Sequence, residues 1–154
     1  MRRSLIVAAM AALLLVVGLA PAGAAPPADV EIEADSLLAG TGTFTASGAA
    51  VDDGVVCATG NTLDLSVASS GSGPWGHNIR VIKEFTCDDG SGSFLVKLQV
   101  RKLLVGPLFT TFHWVVQGGD GYAGLHGSGS GVGLPPNSGF DVFDVYTGFM
   151  LISG

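Results

Sequence analysis

From Gly40 onward the chain breaks into short apolar runs separated by Gly-, Asp- and Ser-rich turn signals roughly every 8–14 residues. That spacing marks an antiparallel sandwich or barrel. The clearest run is Phe94 to Arg101. Phe94, Val96, Leu98 and Val100 fall on one side of it, and Lys97, Gln99 and Arg101 on the other. Strand side chains alternate between faces, so a period of two means a strand with one face in a core. Beyond the N-terminus no stretch carries a convincing 3.6-residue apolar period.

The other runs follow in order. Thr41–Ala46 reads as a Thr-rich strand, Asp52-Asp53-Gly54 as a turn, and Val55–Thr59 as a strand carrying Cys57. Gly60-Asn61 is a second turn, after which Leu63, Leu65 and Val67 alternate with polar or small residues. Ser69–Gly76 is a loop and Asn78–Cys87 a long strand, turned back by Asp88–Gly92. Gly106-Pro107 breaks the run after Arg101. Phe109–Gln117 puts Phe112, Trp114 and Val116 on one face and Thr111, His113 and Val115 on the other. Gly118–Gly133 is Gly-rich, Leu134–Asn137 is a loop, and Phe140–Thr147 and Phe149–Ile152 are the last strands. About eight strands in this length fit a small all-β barrel, whose closure removes exposed sheet edges. A β-sandwich has the same strand count and stays open as the alternative. A barrel of this size is either filled by side chains or holds one small ligand.

The first 24 residues read as a signal peptide. Arg2 and Arg3 precede an uncharged Ala-, Leu- and Val-rich run, and Ala22-Gly23-Ala24 offers a small-x-small cleavage site. The apolar run, about 15 residues, is short for a membrane span of ~20, so cleavage after Ala24 is preferred to an uncleaved anchor. No Cys follows it to take a lipid, and the Ala-rich composition has a bacterial look. Cleavage leaves 130 of 154 residues. We read these as an acidic lead-in over 25–39, with a flexible start, and one barrel domain over 40–154. The expected location is extracellular, with nothing to hold the mature chain in a membrane.

The chain holds 7 Lys and Arg against 13 Asp and Glu, and losing Arg2 and Arg3 leaves 5 against 13, a net charge of −8. This argues against nucleic acid, whose phosphates need clustered cations. Lys97, Arg101 and Lys102 lie close together, a spacing better suited to a solvated strand face than to an anion site. Gly is abundant at 24 residues, yet 47% of residues are hydrophobic, a balance of tight turns and apolar strands rather than disorder. Two cysteines in an exported chain read as one disulfide, Cys57–Cys87. Closing a loop of about 31 residues stabilises the fold by roughly 3–4 kcal/mol on the chain-entropy argument.

The candidate chemistry is sparse. A metal site would need convergence of His77, His113 and His126, and isolated histidines are the commoner outcome, so neither metal nor cofactor is expected. The Asp-Gly turns lack a full calcium-loop pattern and suit hairpins. The glycines at 127, 129, 131 and 133 leave one strand face bare, so that strand bends or lets another segment approach closely. No helix and no Lys-Ser/Thr pair follows to make them a phosphate loop. Acid–base work needs ionisable groups in a partly dry pocket. Glu84 shares a face with Arg80 and Ile82, and Asp144 one with Val142 and Tyr146. Arg80/Glu84 or Asp144/Tyr146 become pocket groups if either face points inward, and otherwise are surface pairs.

Gln117–Gly131 (QGGDGYAGLHGSGSG), directly after FTTFHWVVQ, resembles the strand–turn–strand of allene oxide cyclase and dirigent-type barrels. Together with GTFTASGAAVDDGVVCATG, VIKEFTCDDGSGSF and DVFDVYTG, it is similar to small exported bacterial proteins described as allene oxide cyclase barrel-like, whose function is generally unassigned. The chain has Gly119-Asp120-Gly121 where the pattern often has Gly-Thr-Gly. The resemblance spans roughly Gly40–Gly148 and implies a barrel that often forms dimers or trimers. Dirigent-type barrels use Asp and Arg side chains in the pocket, but no such role transfers to a particular residue here. Three readings follow. The first is a binding barrel for a small apolar ligand or a partner, with Phe94, Leu98, Phe112 and Trp114 lining the cavity. The second is a structural protein with a filled barrel. The third is a cofactor-free isomerase or cyclase. A homo-oligomer is compatible with all three.

Overall fold

A computed structural model describes residues 26–73, 76–102, 110–135 and 139–153, without the side chains of residues 72, 73, 76, 77 and 102. The signal segment 1–24, the Gly106-Pro107 break and the side chains of His77 and Lys102 lie outside the described residues. The strands are β1 (Ala28–Ser36), β2 (Thr41–Ser47), β3 (Thr59–Gly73), β4 (Gly76–Cys87), β5 (Ser93–Lys102), β6 (Thr110–Gly118), β7 (Leu125–Leu134) and β8 (Val142–Ile152), with one short helix, α1 (Ala49–Asp52), between β2 and β3. They form a closed barrel in chain order. Each strand is antiparallel to both neighbours, and β8 returns to β1 with Ile32 opposite Tyr146. The fold is therefore the barrel and not the sandwich.

Four local assignments differ from the sequence reading. Ser69–Gly76 is mostly strand and not a loop, because β3 runs on to Gly73 and pairs with β4 from Gly76. The acidic lead-in contains a full strand: β1 buries Ala28, Val30, Ile32 and Ala34 and exposes Asp29, Glu31 and Glu33. Its carboxylates mark the solvent face of a period-two pattern. Val55–Ala58 is not a strand and Gly60-Asn61 is not a turn. Val55 and Val56 instead donate backbone N–H bonds to Ala50 O (2.8 and 3.1 Å), folding this segment under α1. Finally, the last two predicted strands are one continuous β8.

The interior is aromatic. Phe85 stacks on Phe94 with centroids 5.3 Å apart, and Phe44 meets Phe85 edge-on at 5.0 Å. Phe112 and Trp114 approach Tyr146 at 4.8 and 6.4 Å. The glycine-rich β7 makes room for these rings. A Cβ on Gly129 would lie 2.7 Å from the Trp114 ring and one on Gly148 2.6 Å from it, while one on Gly131 would collide with Phe112. Bare strand faces on β7 and β8 thus accept the large side chains of β6, the close approach expected of alternating glycines. The Trp114 indole N–H donates to Ser130 O (3.1 Å), which satisfies the one polar atom of a buried ring.

One end of the barrel is closed covalently. Cys57 and Cys87 are joined by a disulfide, with Cα atoms 5.9 Å apart. Val56, Cys57 and Ala50 are buried beneath the α1 turn. Tyr122 covers the same end, its ring 5.5 Å from Phe94 and its hydroxyl 2.7 Å from Ser91 Oγ.

Candidate functional site

The opposite end of the interior is polar. Ser36 closes β1, Thr62 and Asp64 lie on β3, Lys83 on β4, and Asp144 and Tyr146 on β8. Register sets the inward face of β4: Cys87 and Phe85 point into the barrel, and alternation brings Lys83 in beside them. Lys83 Nζ donates to Ser36 Oγ (2.9 Å) and lies 3.4 Å from Asp64 Oδ1. Among the described residues, Lys83 is the one inward cation, and it faces two inward carboxylates, Asp64 and Asp144.

Asp144 is 8% exposed. Burial is the main reason that its pKa rises from 3.8 to about 6; Lys83 pulls it down and Asp64 pushes it further up. Its carboxyl can therefore hold or release a proton close to neutral pH. Tyr146 is fully buried and its pKa is pushed well above the ordinary phenol value, first by burial and then by the charges of Asp144 and Asp64. The Tyr146 hydroxyl and Thr62 Oγ1 have no hydrogen-bond partner. Unpaired buried polar atoms cost free energy, so this end is the less relaxed part of the core.

Of the two candidate pairs, Asp144/Tyr146 points inward and Arg80/Glu84 points outward. Arg80 is exposed, and Glu84 accepts a hydrogen bond from Ser93 Oγ (3.0 Å) at the surface. The structure does not bring the two pairs together. Phe94, Leu98, Phe112 and Trp114 are all buried, and the three rings among them pack against Phe85 and Tyr146. His113 and His126 are exposed on β6 and β7, and no group of three metal-ligating side chains occurs among the described residues.

A trough crosses the outside of β4–β7. Arg80, Gln99, His113 and Ser130 sit side by side in register and form one wall; Asn78, Arg101, Thr111 and Val132 form the other. Between them the inward residues Ile79, Val100, Phe112 and Gly131 leave their backbones as the floor. The trough encloses about 620 Å³ and spans four strands, ~14 Å at sheet spacing. Two arginines line it and no carboxylate does. The acidic stripe of β1, with Asp29, Glu31 and Glu33 exposed, lies four strands from β5, on the opposite side of the ring. A second depression of about 560 Å³ shares the His113–Ser130 wall and has Val115 and Phe149 on its far side.

The sequence reading missed Lys83, Asp64 and Ser36. Lys83 had a signal, since it is two positions from Phe85 and four from Cys87. Asp64 had none. Leu63, Leu65 and Val67 look like one buried face, yet all three are exposed: Leu63 points outward opposite Glu84, and the register of β3 on β4 then shifts between Asp64 and Ser66, so the three do not share a face. Comparison with known proteins found no matching family model, no similar curated protein and no similar solved structure.

Proposed function

We propose that this protein is an exported, non-catalytic barrel that binds an anionic amphiphile on its outer surface, with a filled interior that serves as scaffold. The carrying observation is the trough of β4–β7, which gathers Arg80 and Arg101 without a carboxylate on an otherwise acidic chain. Guanidinium groups hold carboxylates or phosphates through charge-assisted hydrogen bonds. Asn78, Gln99, Thr111 and Ser130 add neutral polar contacts along the same walls. The neighbouring depression, with Val115 and Phe149 exposed, offers apolar surface for the rest of such a ligand. Export is supported by the Cys57–Cys87 disulfide, which belongs in an oxidising compartment, and by the signal-like first 24 residues. Acids and cations on the outer face with rings inside are the reverse of a membrane barrel, which turns its apolar face to lipid. The likeness of Gln117–Gly131 to allene oxide cyclase barrel-like proteins supports the same general kind of exported barrel.

The isomerase or cyclase reading draws on one observation, the proton held near neutral pH at Asp144 beside Tyr146. A substrate would have to reach a carboxyl that is 8% exposed, past packed rings. Outward binding is favoured for that reason. Calorimetric titration with decanoate, kept below its micelle concentration, tests the proposal. Wild type binds, decanol binds more weakly, and Arg80→Ala with Arg101→Ala lowers affinity about tenfold or more, the scale of one charged hydrogen bond. Equal binding by the double variant overturns it.

A further inference from the structure

β2 and β3 part company early. Their pairing ends at Thr41 opposite Leu63, with one more backbone bond from Asp64 N to Gly40 O (2.7 Å). β3 nevertheless continues to Gly73, and among the described residues it has only β4 beside it from Leu65 on. In an antiparallel strand alternate N–H and C=O groups point to each side. This stretch therefore carries a row of backbone groups turned away from β4 with no strand to receive them. The register shift at Leu65 is a bulge, a feature that bends and twists a strand away from its neighbour.

The side chains point the same way. Val67 pairs with Val81, which packs against the core, yet Val67 is 61% exposed; Leu65 is 51% exposed. A core-side valine stays uncovered here because, among the described residues, no strand lies beyond this part of β3. Proteins usually blunt such an edge with Lys, Pro, an inward charge or a bulge. Leu65–Ser70 (LSVASS) has the bulge at Leu65 but no Lys, Pro or charge, so past the bulge its edge carries no repelling side chain.

We infer that Leu65–Ser70 of β3 is a strand-pairing edge for a second copy of this chain, joined antiparallel about a two-fold axis at Val67. The backbone requires a strand as occupant. An uncharged segment can face itself without like-charge opposition, on a chain whose acids otherwise repel a copy. Two-fold pairing places Val67 opposite Val67 and Leu65 opposite Ser69, and covers the exposed Leu65 and Val67 of both copies. The interface is smaller than the ~1,200 Å² of a stable complex, so the dimer is weak and concentration-dependent.

Sedimentation of the exported, disulfide-bonded chain tests this from about 10 μM to about 1 mM, the range of a weak complex. Wild type is expected to shift from monomer to dimer mass, and more readily in high salt, which screens the net negative charge. Val67→Lys, at an exposed position that leaves the barrel intact by circular dichroism, stays monomeric. Val67→Cys forms an intermolecular disulfide under mild oxidation, because directly opposed Cβ atoms lie ~4.5–5.5 Å apart. A wild-type monomer throughout overturns the inference. So does a dimer that survives Val67→Lys, or one that dissolves in salt, which would instead indicate the β1 stripe of one copy in the trough of another.

Discussion

The two ends of the barrel are built on different physics. At the disulfide end Phe44, Phe85 and Phe94 pack ring on ring under α1, and Cys57–Cys87 ties the lid to β4. At the other end Lys83, Asp64, Asp144 and Tyr146 face one another inside the wall, where the Tyr146 hydroxyl and the nearby Thr62 Oγ1 lack a hydrogen-bond partner. Burial and chain connectivity stabilise the first end, with little dependence on pH. The second depends on the ionisation of a carboxyl that has lost its water. One short barrel can therefore be a rigid plug at one end and a titrating cluster at the other.

The largest test of that contrast removes a ring. Phe94→Ala should lower stability by about 3–5 kcal/mol, the usual cost of deleting a buried aromatic side chain, with the same loss at pH 4.5 and pH 7.5 in urea denaturation. Replacing both Cys57 and Cys87 by Ser should cost roughly 3–4 kcal/mol, again without a change in pH profile. If either loss varies strongly with pH, the two ends are coupled and the contrast fails.

At the polar end, Lys83→Met should destabilise by about 3 kcal/mol at neutral pH, because it strands two inward carboxylates, a known cost of breaking a buried pair. The loss should shrink in acid, where Asp144 is protonated. Asp144 itself has a raised folded pKa, from 3.8 to about 6, so the folded protein binds its proton more tightly than the unfolded chain. Its contribution is therefore favourable in acid and is lost as pH rises through that window, by about 3 kcal/mol in all. Asp144→Asn should flatten this slope between pH 4 and pH 7 in a series of urea midpoints. A steeper slope would reverse the sign of the account. The smallest effect belongs to Tyr146→Phe. Removing an unpaired buried hydroxyl should leave stability within about 1 kcal/mol of wild type, or raise it; a loss of several kcal/mol would show a partner for that hydroxyl.

The disulfide end was the more legible in sequence. Phe94 to Arg101 and Phe112 to Val116 follow strict alternation, and the inward set read from them is buried in the structure, Val100 only partly. The alternating glycines signalled close approach, though not that Phe112 and Trp114 would be what approached. Asp144 and Tyr146 could be placed on one face, but their direction depended on closure with β1, a strand whose four acids look like a solvated tail. Asp64 was hidden because Leu63, Leu65 and Val67 read as one apolar face; the bulge at Leu65 breaks that alternation, so Asp64 faces inward ahead of it while Val67 falls on the core side after it. Arg80, Gln99 and His113 meet only through cross-strand register, which spacing along one strand does not encode.

The central claim is that the interior is filled and that ligands bind outside it. Nuclear magnetic resonance of the folded chain during decanoate titration reads both regions at once. The account predicts shifts at the side chains of Arg80, Gln99, Arg101 and His113, with the ring signals of Phe85, Phe94 and Tyr146 unmoved. Shifts centred on those three rings and Asp144 would contradict it, and would place the binding site inside the barrel.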